Sequence, residues 1–156
     1  MESASRSPGT GPAYKSDAAL SGDVSYTIDA TVDGAFDEVV EATEAALADE
    51  GFGVLCDVDV AATFAEKLDV AYRDYRILGA CNPPLAHEAL AVEPGLGALL
   101  PCNVVVYEDD DRVAVRAVDA HRLLGVVENA DLDGVADDVA DRLSRVVETV
   151  AADFED

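Results

Sequence analysis

Tyr75-Arg-Ile-Leu-Gly-Ala-Cys-Asn-Pro83 reads out of one secondary structure and into another. Its β-prone half predicts a strand over Tyr72 to Ala80. Asn82 then has the short side-chain oxygen that accepts a first-turn amide hydrogen, and Pro83 has the fixed φ of a first helical residue. A strand passing without a loop into a helix is therefore expected, with Leu85, Ala86, Ala89 and Leu90 on the helix's apolar side. The pairing of thiol and asparagine recurs in Leu99-Leu-Pro-Cys-Asn-Val-Val-Val-Tyr107. Between the two stretches Pro94-Gly-Leu-Gly97 breaks the helix, and Ala98 to Tyr107 predicts another strand, too apolar to face water on both sides.

Upstream, Val24 to Thr31 alternates and is β-rich, predicting a first strand. Phe36, Val39, Val40, Thr43 and Leu47 follow at helical spacing, with Gly51 placed to end that helix and Phe52 to Val58 as a second strand. Asp59 can cap a short helix with Phe64, Lys67 and Leu68 on one face. Downstream, Asp109 to Asp111 marks a hairpin tip, Arg112 to Val118 a fifth strand, and Asp119 to Gly125 a short helical turn, with Val126 and Val127 adding extended chain. The last element is the clearest, an apolar stripe at i, i+3, i+4 spacing from Leu132 through Leu143 to Phe154, in a helix of about 20 residues and roughly 30 Å. The fold class expected is α+β: an antiparallel sheet of about five strands against a long C-terminal helix, with shorter helices in the connections. Residues 1 to 22, rich in Ser, Gly, Pro and Ala, read as a flexible tail, and 23 to 156 as a single domain.

The 156 residues carry 33 acidic against 10 basic side chains, a net charge of -23, yet half are hydrophobic. That is a folded core in an acidic shell rather than a disordered chain. Asp outnumbers Glu 21 to 12, and the only lysines are Lys15 and Lys67. This composition resembles cytoplasmic proteins of salt-accumulating halophiles, whose ionic strength screens self-repulsion. No basic stripe exists to displace counterions from nucleic acid, and no apolar run approaches the roughly 20 residues of a membrane span. A soluble, cytoplasmic protein is expected, without nucleic-acid or membrane partners. Three cysteines, Cys56, Cys81 and Cys102, are expected to be reduced there.

Cys81 sits just before the inferred cap Asn82, where free first-turn amides and the helix dipole favour thiolate; it also reads as a small buried hydrophobe ending a strand. Lys67 could pack its stem beneath a sheet edge, bind an anion, or lower a nearby thiol's pKa. Cys102 reads first as the entry to a core strand. If its strand neighbours that of Cys81, a redox pair arises, or half a metal site completed by His87 or His121; no Cys-x-x-Cys spacing supports the metal, and none is expected.

The segments Tyr75 to Pro83 and Leu99 to Tyr107, with Lys67 and Gly51-Phe52-Gly53 upstream, resemble the domain-of-unknown-function family 302 over about residues 24 to 154. That resemblance implies an α/β fold of the TATA-binding-protein-like or helix-grip kind, an antiparallel sheet wrapped around a long C-terminal helix, as a homodimer. It supplies no reaction and no cofactor. The favoured expectation is a small-ligand-binding domain whose cleft holds Lys67, Tyr75, Cys81, Asn82 and Cys102. The alternatives are a thiol enzyme with Cys81 as its catalytic nucleophile, and a structural or regulatory homodimer without ligand.

Overall fold

A computed structural model describes residues 25 to 155; the expected tail lies outside them. Five strands form one antiparallel sheet: β1 (Thr27–Val32), β2 (Gly53–Asp59), β3 (Tyr75–Cys81), β4 (Cys102–Asp109) and β5 (Arg112–Val118), in the spatial order β1-β5-β4-β3-β2. The first two strands are thus the two edges. The chain crosses from one edge to the other through α1 (Phe36–Asp49). Its 14 residues extend about 21 Å, close to the roughly 19 Å that four inter-strand spacings occupy.

Period-2 alternation sorts each strand into an inner and an outer face. Inward rows run Asp57, Leu78, Val104, Ala117, Ile28 and Arg76, Val106, Val115, Ala30 across the ladders. At their centre Leu78, Val104, Val106 and Val115 are fully buried, beneath α1 and the long α5 (Asp133–Asp153). From α1 come Val39, Thr43 and Leu47, and from α5 Leu143, Val146 and Val150, all without exposed surface. Each buried leucine or valine contributes about 1.5–3 kcal/mol relative to exposure. Thr43 satisfies its hydroxyl by donating to the Val39 carbonyl at 2.7 Å.

Three shorter helices fill the connections: α2 (Val60–Leu68), α3 (Pro83–Val92) and α4 (Ala120–Gly125), with 3-10 turns at Pro94–Leu99 and Ala130–Leu132. Both anticipated caps form, Asp59 accepting from the Ala62 amide at 2.9 Å and Asn82 from Leu85 at 3.2 Å. Gly51 ends α1 at φ +86°, a conformation that glycine adopts without the Cβ penalty.

The expected boundaries shift where local chemistry overrides pattern. The fourth strand starts at Cys102 rather than Ala98, because residues 94–99 coil and Pro101 has no N–H for the ladder. The third starts at Tyr75, since Tyr72 turns to pack on Phe64. Val126 adopts helical φ and ψ and adds no strand.

Candidate functional site

The β3–α3 junction brings three of the five expected site residues together. Cys81 ends β3, Asn82 caps α3, and Cys102 opens β4 directly after the position opposite Cys81, its own ladder partner being Ala80. All three line a pocket of about 40 Å³ closed by Leu85 and Ala89 of α3, Leu96 and Leu100 beyond it, and Val135 and Val139 of α5. Apart from the two thiols and the Asn82 amide, the lining side chains are apolar.

The two thiols differ in setting. Cys102 points into the core at 8% exposure. Burial, and secondarily the neighbouring Cys81, push its pKa up to about 11, so near neutral pH it is a thiol. Cys81 is half-buried. Its partner across the β2–β3 ladder is Gly53, which has no side chain to cover it. Among the polar groups of the junction it is the one positioned to meet a solute.

Asn82, buried at 8% exposure, is occupied with the fold. Its Oδ1 accepts from the Leu85 amide, and its Nδ2 donates to the Glu50 carbonyl at 3.4 Å. The same carbonyl accepts from Arg142 of α5 at 2.9 Å, while Arg145 grips the Glu50 carboxylate at 3.0 Å. Asn82 therefore ties the end of α1 to the start of α3, and a Cβ on Gly51 would come within 2.9 Å of its Nδ2.

Lys67 and Tyr75 are not at this junction. Tyr75 starts the strand that Cys81 ends, six residues away, or roughly 20 Å along extended chain. Lys67 lies in the last turn of α2, exposed, and makes no hydrogen bond or ion pair among the described residues. The chain of ring contacts from Phe64 through Tyr72 to Tyr75 places α2 at the Tyr75 end of the sheet. A cleft holding all five expected residues does not form, because helical spacing fixed the face of Lys67 but not where α2 docks.

Cys56 lies inside β2 on the sheet's outer face, exposed, opposite Gly79. A Cβ on Gly79 would sit 2.5 Å from the Cys56 Sγ and 2.8 Å from the Pro101 Cγ, so glycine there is what lets both cross the strand. Neither histidine lines the thiol pocket. His121 contacts Asp137 at 2.7 Å and Asp119 at 3.6 Å beside an acidic cleft of about 500 Å³. Its hydrogen bond to Asp137 is the main cause of its raised pKa, against a smaller opposing effect of burial. Among the described residues no three His, Cys, Asp or Glu side chains are placed to hold a metal ion.

A family model, Domain of unknown function DUF302, matches residues 28–150. The chain belongs to the DUF302 family. Its architecture is similar to the crystal structure of an uncharacterized conserved DUF302 protein from Bacillus stearothermophilus, with a TM-score of 0.75 and 28% identity. The similarity covers 80% of this chain and 98% of that one. No curated protein matches.

On the outer face of this DUF302 sheet, sequence reasoning overlooked an aromatic cluster. Tyr75 and Tyr107 are ladder partners, stacked with ring centroids 5.0 Å apart and planes 8° from parallel. Arg73 lies 5.9 Å from the centroids of Tyr72 and Tyr107. Arg116 donates to Thr27 Oγ1 at 2.8 Å and to Asp29 at 3.1 Å, with its guanidinium 5.7 Å from the Tyr26 ring centroid. Burial, then the neighbouring Tyr107, raise the Tyr75 hydroxyl's pKa. The signal was available: both tyrosines hold outward positions on adjacent strands, but only the register shows that they meet.

Proposed function

We propose that this DUF302 chain is a binding domain for a small, predominantly apolar ligand, whose apolar end enters the β3–α3 junction with Cys81 at the mouth. The observation carrying this reading is the 40 Å³ space with almost wholly apolar walls, closed by the 3-10 turn and α5. Most small-molecule sites measure about 300–1,000 Å³. Only a few atoms fit as the pocket stands, and a longer ligand must displace Leu96 and Leu100. Lys67 and Tyr75 are not in this pocket, so the ligand needs no anionic group to satisfy them. Apolar cavities of this kind stay dry and take up inert apolar probes. Xenon titration, followed by NMR of the Leu85, Leu96 and Val135 methyls, tests it. Saturable shifts at those methyls support the site; shifts no larger than on distant methyls reject it.

A second reading, thiol chemistry, is favoured by one feature: the half-buried Cys81 directly precedes the cap of a ten-residue helix. First-turn amides and the helix dipole stabilise a nearby thiolate. Against it stand the absence of His or Lys from the pocket and the protonated state of Cys102. Alkylation rate against pH separates the readings, since a Cys81 no faster than Cys56 removes the nucleophile.

A homodimer and a cytoplasmic setting complete the proposal. The free thiols and net charge of -23 fit a reducing interior of high ionic strength, and the same charge disfavours nucleic acid. No helix among the described residues is long and apolar enough to cross a membrane.

A further inference from the structure

Arg73 makes no ion pair among the described residues, in a chain that carries 33 acidic side chains. Its guanidinium carbon instead lies 5.9 Å from the ring centroids of both Tyr72 and Tyr107, within the roughly 6 Å over which a ring face attracts a cation. Its single hydrogen bond among the same residues runs from Nη1 to the Glu108 carbonyl at 3.3 Å. An exposed arginine tied so loosely can swing away and leave its place open.

The rings that receive it are held by other contacts. Tyr107 stacks on its ladder partner Tyr75 at 5.0 Å, and Tyr72 lies edge-on to Phe64 of α2 at 5.1 Å and 6.3 Å from Tyr75. None of these contacts involves Arg73, so both faces keep their positions without it. The local charge also favours a cation. Burial, then the neighbouring Glu108, Asp37 and Asp59, raise the pKa of Asp74, so four carboxylates converge beside the rings. Arg76 and Arg116 are paired with Asp57 and Asp29, which leaves Lys67, exposed in the last turn of α2, and Arg73 itself as the opposing charges. The net charge of -23 draws cations toward the whole chain.

We propose that the faces of Tyr72 and Tyr107 form a seat for the guanidinium group of a small organic cation, and that Arg73 is a tethered stand-in which this ligand displaces. A guanidinium is planar and weakly hydrated, so it gives up little solvation to lie on a ring, and it can repeat the hydrogen bond to the Glu108 carbonyl. An ammonium group holds its water more tightly. The seat is at the Tyr75 end of β3, away from the apolar pocket at Cys81, and stands or falls independently of it.

Titration of the full chain with methylguanidinium at constant ionic strength, followed by NMR of the Tyr107 ring, tests the assignment in wild type, Arg73→Ala, Arg73→Ala with Tyr72→Ala, and Arg112→Ala. Expected are saturable shifts and a Kd at least about threefold lower in Arg73→Ala, because a seat shared with a tethered cation is open only part of the time. Adding Tyr72→Ala should abolish that binding. Arg112→Ala removes the same charge from a residue paired with Asp33 and should leave the wild-type Kd unchanged. Tyr72, Arg73 and Arg112 are all exposed, and circular dichroism confirms that each variant folds. An equal gain in Arg112→Ala, or equal shifts with ammonium, means a response to net charge alone and overturns the seat. So does the lack of saturable shifts in Arg73→Ala, or binding indifferent to Tyr72→Ala. A Kd unchanged by Arg73→Ala overturns the exchange with Arg73.

Discussion

Asn82 and Glu50 lie 32 positions apart in sequence, and the Asn82 amide donates to the Glu50 main-chain carbonyl where α1 ends. Besides lining the β3–α3 pocket, Asn82 holds two helices in register. Replacing it removes the cap of α3 and leaves a carbonyl with one donor fewer. Asn82→Ala is expected to lower stability by about 1–3 kcal/mol, combining cap loss with a lost buried hydrogen bond. Asn82→Ser, which can still cap, should lose less. Urea midpoints at unchanged m-value measure both, and equal losses would assign the effect to the Glu50 contact.

Gly79 is expected to be intolerant of any side chain. A Cβ there meets the Cys56 sulfur at 2.5 Å and the Pro101 ring at 2.8 Å, an overpacking that costs about 1–3 kcal/mol. Adding Cys56→Ala to Gly79→Ala should recover part of the loss, the proline contact remaining. A double-mutant cycle in thermal unfolding reads the coupling, and strict additivity would contradict the crowding.

The thiols should react in a fixed order. Cys102 is buried, with a pKa of about 11, and is expected to resist iodoacetamide near pH 8 until the protein unfolds, while Cys56 and Cys81 label in the native state. Peptide mass spectrometry with time measures each site. Labelling of Cys102 as fast as Cys56 would mean that the junction opens readily.

His121 provides a pH test with a definite sign. Its folded pKa is raised, chiefly by the hydrogen bond to Asp137. The stability it contributes is therefore full below the unfolded value of about 6.5 and is lost as pH rises through the folded pKa. His121→Gln should be less stable than wild type at pH 5.5 and equal to it at pH 9. The pair is exposed, so the difference at acid pH should stay under about 1 kcal/mol. A larger deficit at pH 9 than at pH 5.5 would contradict the assignment.

Ionic strength should act on the whole molecule. With -23 at pH 7, self-repulsion opposes compaction, and KCl screens it over roughly 10 Å at 0.1 M and 3 Å at 1 M. Melting temperature is expected to rise with KCl, most steeply at the low end, and a flat or falling curve would show that self-repulsion does not limit the stability of the fold.

Local sequence went far here, and it failed at one kind of question. Caps, breakers and period are short-range properties, so Asn82, Asp59, Gly51 and the 21-residue α5 were readable from neighbours alone. So were the apolar character of the fourth strand and the single-sheet architecture. Which ends of the elements coincide depends on docking and register, which neighbours do not encode. Cys81 and Cys102 came together because adjacent strands bring their ends together. Lys67 did not, because α2 lies at the far end of β3, and the stack of Tyr75 on Tyr107 could be known only from the ladder that makes them partners.

The placement of β1 has a consequence for how the molecule is made. Its partner in the ladder is β5, Val32 facing Val113 about 80 residues later. During synthesis the first strand therefore leaves the ribosome with Ile28 and Val32 uncovered and must wait for the hairpin of β4 and β5 before its native hydrogen bonds exist. Pairings so distant in sequence close slowly. For that interval an unpaired strand edge is exposed in a nascent chain whose acidic residues keep neighbouring copies apart.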